Sequence, residues 1–181
     1  ATGGNDYRGV GGPLHIAYPA REVHPLTHAY LKSCAALGLP FNPDFNGADQ
    51  VGAGIYQVTT KGGQRMSAAR AFLWPITRRK NLHIETNALV SQIEMVDRKA
   101  IGVSYIKQGR MVVAKARAEV ILSGGAINSP QLLQLSGIGP GPLLKNLGID
   151  VKFENANVGQ HLEDHLGLNY ITTVQDLAVL K

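Results

Sequence analysis

The sequence predicts a mixed α/β fold, in which one chain supplies both a sheet and the helices that pack on it. Three patterns lead there. Residues 119–139, EVILSGGAINSPQLLQLSGIG, join a short apolar run to a glycine turn and then to helical spacing. Leu89, Ile93 and Met95 alternate with polar residues, as do Ile101, Val103 and Tyr105, which is the period of half-buried strands. Leu26, Ala29, Tyr30, Cys34 and Leu37 recur instead at the spacing of one helix face.

Residues 11–73 read as a strand, a helix and loops. The helix covers residues 25–37, and Gly38-Leu39-Pro40 ends it. Cys34 falls on its apolar face and reads as a core residue rather than a reactive thiol. Residues 41–54, rich in Asn, Asp, Pro and Gly, form a loop. Residues 55–59 then read as a short strand and residues 67–72 as a helix capped by Ser67.

The second half opens with strands. Asp97-Arg98-Lys99 turns the first onto the second, and Lys107-Gln108-Gly109-Arg110 turns into a third over residues 111–117. The expected role of this half-buried meander is structural. Val120, Ile121 and Leu122 form the continuous apolar run that a strand buried on both faces requires. Gly124 and Gly125 end it, and without Cβ atoms they allow a sharp turn and the close approach of a flat or charged group to the main chain. Asn128 or Ser129 can cap the next helix, with Pro130 in its first turn, Leu132, Leu133 and Leu135 as contacts and Gly137 as its stop. A second short helix follows over residues 140–147, and another strand over 149–153. Strand, glycine turn and helix N-terminus also serve packing alone, so geometry leaves ligand contact and plain packing equally open.

Composition narrows the function classes. At 181 residues with 44% hydrophobic content, the chain can furnish a core for one domain or for parts of two. The formal charge of +5 is scattered, and Arg78-Arg79-Lys80, the one compact basic run, reads as a solvated turn rather than a nucleic-acid site. A single cysteine excludes an internal disulfide and any CxxC metal pattern. No apolar run is long enough to span a bilayer, and ATGGNDYRG reads neither as a signal peptide nor as a natural start.

Six histidines invite metal or proton chemistry. His24 and His28 stand four apart without a third ligand at metal spacing, and read as a surface or packing pair. His15 and His83 lie in strand-like segments. His161 and His165 flank Glu163 and Asp164, but this is not the HExxH zinc pattern, and a hydrogen-bonding structural role is expected. No metal site is predicted.

Residues 124–140, GGAINSPQLLQLSGIGP, resemble the second signature of the glucose-methanol-choline (GMC) oxidoreductases, FAD-dependent enzymes that oxidise alcohols. The likeness continues through GGPLHI (11–16), the long segment 43–73, NLHIETNALVSQI (81–93) and NVGQHLEDH (157–165), and runs nearest to choline-dehydrogenase-like members. It implies part of an FAD/NAD(P)-binding Rossmann-like domain interleaved with part of a mainly antiparallel-sheet substrate domain. Residues 1–80 would be mostly substrate domain, 81–165 FAD-binding domain, and 166–181 the start of the return to the substrate domain.

The resemblance also implies site residues. Val90 would offer its backbone to the adenine of FAD, while Ser123, Gly124, Gly125, Ala126, Asn128 and Ser129 would lie near its ribityl and ring portions. Tyr56 and Gln57 would line the alcohol pocket, although a packed tyrosine on a strand is the competing reading. Such families open with a GxGxxG turn for the pyrophosphate. Here Gly9-Val10-Gly11-Gly12 and Gly137-Ile138-Gly139-Pro140-Gly141 come nearest, and both read as turns. The family's catalytic histidine lies beyond the position of Lys181, so no catalytic residue is assigned here. The expectation is therefore the middle section of an FAD-dependent alcohol oxidoreductase, inactive alone and acting on a small-molecule alcohol in the complete protein. That protein would be cytoplasmic or peripherally membrane-associated. A stand-alone non-catalytic module and a hydroxynitrile-cleaving relative remain the alternatives.

Overall fold

A computed structural model describes residues 3–19, 23–171 and 173. The chain divides into two compact units, one running up to His83 and the other Ile84–Tyr170. Helix and antiparallel sheet are both present, as the mixed fold class requires. Of the expected return segment 166–181, residues 172 and 174–181 lie outside the described residues.

In the first unit, α1 (Pro25–Ala36) starts at His24, whose Nδ1 accepts the Leu26 N–H at 3.2 Å. The side chain thus satisfies one of the donors a helix start leaves open, with Pro25 at the first helical position. Gly38, at φ +84°, follows its end. Of the predicted apolar face, Cys34 alone is buried; Tyr30 and Leu37 are exposed.

Residues 11–16 form no strand, and the expected strand at 55–59 is reduced to an isolated bridge between Ala17 and Val58. The reason is the preceding loop, which closes around a side chain instead of a ladder. Buried Asn42 donates through Nδ2 to the carbonyls of Asp49 (2.8 Å) and Val51 (3.3 Å), while its Oδ1 accepts the Asp44 N–H at 2.8 Å. Gly54 presses against this loop so closely that a Cβ there would stand 2.1 Å from the Asn42 carbonyl oxygen.

A hairpin follows that the sequence reading missed. Strands β1 (Thr60–Lys61) and β2 (Gln64–Arg65) are joined by Gly62 and Gly63, both at positive φ, as a type I′ turn requires. Ser67 does cap the next turn, accepting the Arg70 N–H at 3.3 Å. That turn is a widened π-helical one, Ala69–Leu73, continued by a 3-10 turn, Trp74–Ile76, rather than a regular helix.

The second unit is built on the meander. Strands β3 (Leu89–Val96), β4 (Lys99–Lys107) and β5 (Arg110–Lys115) pair antiparallel in that order. Both predicted turns are present: Asp97 at φ +55° between paired Val96 and Lys99, and Gln108-Gly109, both at positive φ, between Lys107 and Arg110. Strand β5 ends two residues earlier than expected and is exposed along its length, so burial concentrates on β3 and β4, at Ile93 and Ser104.

Helix α2 (Gly125–Leu135) packs on β3. Two expectations about its approach fail. Residues 120–122 join no ladder among the described residues, and Ile121 is 75% exposed instead of buried on both faces. A strand of this kind needs neighbours on both edges, and the described residues set none beside it. Nor does Asn128 or Ser129 cap the helix. Gly124 occupies that position, because Gly125 at φ +88° carries the backbone straight from the turn into the helix. Ser129 reaches back from within, its Oγ accepting the Gly124 N–H at 3.0 Å. Pro130 is consequently interior and has no N–H to offer the Ala126 carbonyl.

Gly137 stops α2 as predicted, at φ +84°, and a Cβ there would lie 2.4 Å from the Asp150 carbonyl oxygen. Strand β6 (Ile138–Gly139) then pairs in parallel with β7 (Phe153–Glu154) across α3 (Gly141–Asn146), whose Leu144 is fully buried. The strand expected from residue 149 begins later, because the N–H of Ile149 is bonded to the Leu144 carbonyl at 2.9 Å and finishes the helix.

Candidate functional site

The glycine turn opens a cleft of about 460 Å³ at the N-terminal end of α2. Ala88, Leu89 and Val90 form one wall, residues 121–124 the floor, and the side of α2 from Asn128 to Leu135 the other wall. Val90 and the predicted turn residues Ser123, Gly124, Asn128 and Ser129 meet here. Gly125 stands at the turn itself, with nothing within 4 Å of where a Cβ would project. Its glycine requirement therefore arises from φ +88°, not from crowding within this chain. Gly124 is different: a Cβ there would meet the Asn128 Cβ at 3.3 Å.

The cleft's apolar lining was not legible beforehand. Leu89, Ile121, Leu122, Leu132 and Leu135 read individually as core residues, and only the fold gathers them beside the serine hydroxyls and the Asn128 amide. Its electrostatics follow from α2. The first turn of a helix leaves N–H groups without intrahelical acceptors and a positive partial charge, and α2 has no acidic residue in that turn to offset it.

Ala126 lines a second groove, of about 880 Å³, on the other side of the same helix end, shared with the loop at 157–163. Gln134 fastens that loop: its Nε2 donates to the Val158 carbonyl at 3.1 Å, and a Cβ at Gly159 would sit 2.6 Å from that nitrogen. Sequence reasoning missed Gln134, because a glutamine inside a helix carries no signal of its distant partner. His161, at φ +58°, is hydrogen-bonded through Nε2 to Asn157 Oδ1 at 3.2 Å, the structural part expected of it.

Tyr56 and Gln57 belong to the first unit and the cleft residues to the second. The Tyr56 ring packs on Phe45 at 5.2 Å between centroids yet stays 73% exposed. Gln57 accepts a hydrogen bond from Arg8 at 3.3 Å, and Arg8 also forms an ion pair with Asp44.

The family model for GMC oxidoreductases matches residues 5–167. The chain belongs to the GMC oxidoreductase family. This GMC chain is 46% identical over 164 residues to mitochondrial choline dehydrogenase of Mus musculus, covering 91% of the chain and 27% of that protein. It is 43% identical over 166 residues to an alcohol dehydrogenase [acceptor] of Pseudomonas putida, covering 91% and 30%. Among solved structures, an FAD-dependent oxidoreductase from Chaetomium thermophilum superposes with a TM-score of 0.78 at 32% identity, over 84% of this chain and 27% of that one. The chain thus spans less than a third of the length of these relatives. Among the described residues no helix is long and apolar enough to cross a membrane.

Proposed function

We propose that this chain is the middle section of an FAD-dependent oxidoreductase that acts on the CH–OH group of a small-molecule alcohol. The observation that carries the proposal is the convergence of Val90, Ser123, Gly124, Asn128 and Ser129 on one cleft at a helix N-terminus. Its lining suits part of a flavin nucleotide: apolar walls for a flat ring, and hydroxyls and an amide for polyol oxygens.

In this reading the second unit is FAD-binding domain and the first is substrate domain. Val90 holds the adenine through its main chain, and the turn at 123–129, including Gly125 and Ala126, borders the ribityl and ring portions. FAD, when bound, supplies the hydride acceptor. The chain's own residues bind, orient and exclude water, so that the alcohol carbon is held in one place. Tyr56 and Gln57 line the alcohol side. The base that takes the hydroxyl proton is not assigned among these residues. The complete protein works in the cytoplasm or at a membrane surface.

The test is turnover of an alcohol panel by the complete protein together with its visible spectrum. A protein that carries stoichiometric flavin and reduces it with an alcohol supports the reading. One that binds no flavin, or whose flavin no alcohol bleaches, refutes it.

A further inference from the structure

Arg8, in the first unit, is held at both its backbone and its guanidinium. It sits on a closed turn in which its N–H donates to the Asn5 carbonyl at 3.2 Å and the Asn5 N–H returns to its own carbonyl at 2.9 Å. The Asn5 side chain accepts the N–H groups of Tyr7 and Arg8 as well. From this fixed base the guanidinium reaches two distant points, one terminal nitrogen to the Asp44 carboxylate on the loop and the other to Gln57 Oε1 just beyond it. Its Nε is buried and has no acceptor among the described residues, so the two terminal nitrogens alone set its orientation.

Both anchor points are themselves held. Asp44 is tied by its N–H to Asn42, and its Oδ1 accepts the Asn46 N–H at 3.1 Å. Gln57 follows Tyr56, whose ring rests on Phe45, the neighbour of Asp44. A planar guanidinium with two donors in fixed relation suits this double engagement, whereas an ammonium does not. With Oε1 taken by Arg8, the end of the half-buried Gln57 amide left to donate is Nε2.

We propose that Arg8 is a positioning residue for the alcohol: it fixes the Gln57 amide so that Nε2 donates to the substrate hydroxyl oxygen. This rests on the reading of Gln57 as part of the alcohol pocket. An oxygen that accepts from the amide keeps its own proton directed elsewhere, available to a base. Asp44 holds the guanidinium in place and does not meet the substrate.

The experiment uses the complete flavin-loaded protein and compares Gln57→Ala, Arg8→Met, Arg8→Lys and the double variant Arg8→Met/Gln57→Ala over an alcohol panel. Gln57→Ala and Arg8→Met each raise KM about tenfold, the scale of one lost hydrogen bond to a polar substrate. Flavin content and kcat change little. Arg8→Lys falls between wild type and Arg8→Met, and the double variant is no worse than Gln57→Ala alone. If Arg8→Met does not accumulate, Arg8→Lys and its combination with Gln57→Ala carry the same comparison.

Two results overturn the role of Arg8 while leaving the pocket reading intact: Gln57→Ala raises KM but the Arg8 variants lower only the melting temperature, or the two effects multiply in the double variant. Gln57→Ala with unchanged KM for every alcohol turned over removes the pocket reading itself and the role of Arg8 with it.

Discussion

The Ser136 hydroxyl accepts the backbone N–H of Ile93 at 2.8 Å and donates to the Leu132 carbonyl at 2.6 Å. One fully buried side chain thus joins the last turn of α2 to β3, the strand that carries Val90 to the cleft. Removing the oxygen leaves the buried Ile93 N–H without its acceptor, while the Leu132 carbonyl keeps the Ser136 N–H at 3.1 Å. Ser136→Ala is expected to destabilise the protein by about 1–3 kcal/mol. Chemical denaturation measures it, and an unchanged midpoint would refute the bridge.

Gly125 separates strain from bulk. Its φ of +88° penalises any side chain, while the space beyond it is open within this chain. In the complete protein, Gly125→Leu should lose flavin on gel filtration. Gly125→Ala should lose stability by roughly 1–2 kcal/mol but retain more flavin. Equal flavin content in wild type and Gly125→Leu would remove this turn from the cofactor site.

The isolated chain should show little or no flavin absorbance after purification. Its cleft offers apolar walls, hydroxyls and an amide, but no GxGxxG turn for the pyrophosphate occurs in these 181 residues. A stoichiometric flavin band in the isolated chain would contradict this.

Gly137 and Leu144 hold the β6–α3–β7 turn behind the cleft helix. Gly137→Ala combines a left-handed φ with a collision at the Asp150 carbonyl and should cost roughly 2 kcal/mol or more. Leu144→Ala empties a fully buried site and should cost about 2–5 kcal/mol. Thermal unfolding reads both, and a loss well below 1 kcal/mol for either, on the order of a surface substitution, would disprove that packing.

Lys107, at the end of β4, hydrogen-bonds and pairs with the Glu85 carboxylate, which raises its ammonium above the usual 10.5. A raised pKa in the folded state means the pair contributes below pH 10.5 and is lost as pH climbs through the higher folded value. Glu85→Gln should therefore narrow the gap to wild type only in strongly alkaline solution. A wild-type advantage that grows above pH 10.5 would reverse the assigned sign.

Patterns confined to neighbouring residues were readable in advance. The alternation through Ile93 and Val103, the turns at Asp97 and Gln108-Gly109, and the stop at Gly137 each depend on local backbone preference, which a short window carries. The 17-residue run from Gly124 to Pro140 carried the family as well. Distant contacts decided the rest. Gly124 displaced Asn128 and Ser129 as the cap because Gly125 takes a positive φ and Ser129 bonds backwards. Residues 120–122 stayed half-exposed because burial of a strand is a property of its neighbours, not of its own apolarity. The grip of Arg8 on Asp44 and Gln57, and that of Ser136 on Ile93, join residues more than thirty-five positions apart. No periodicity spans such separations, so packing alone could reveal which polar groups meet.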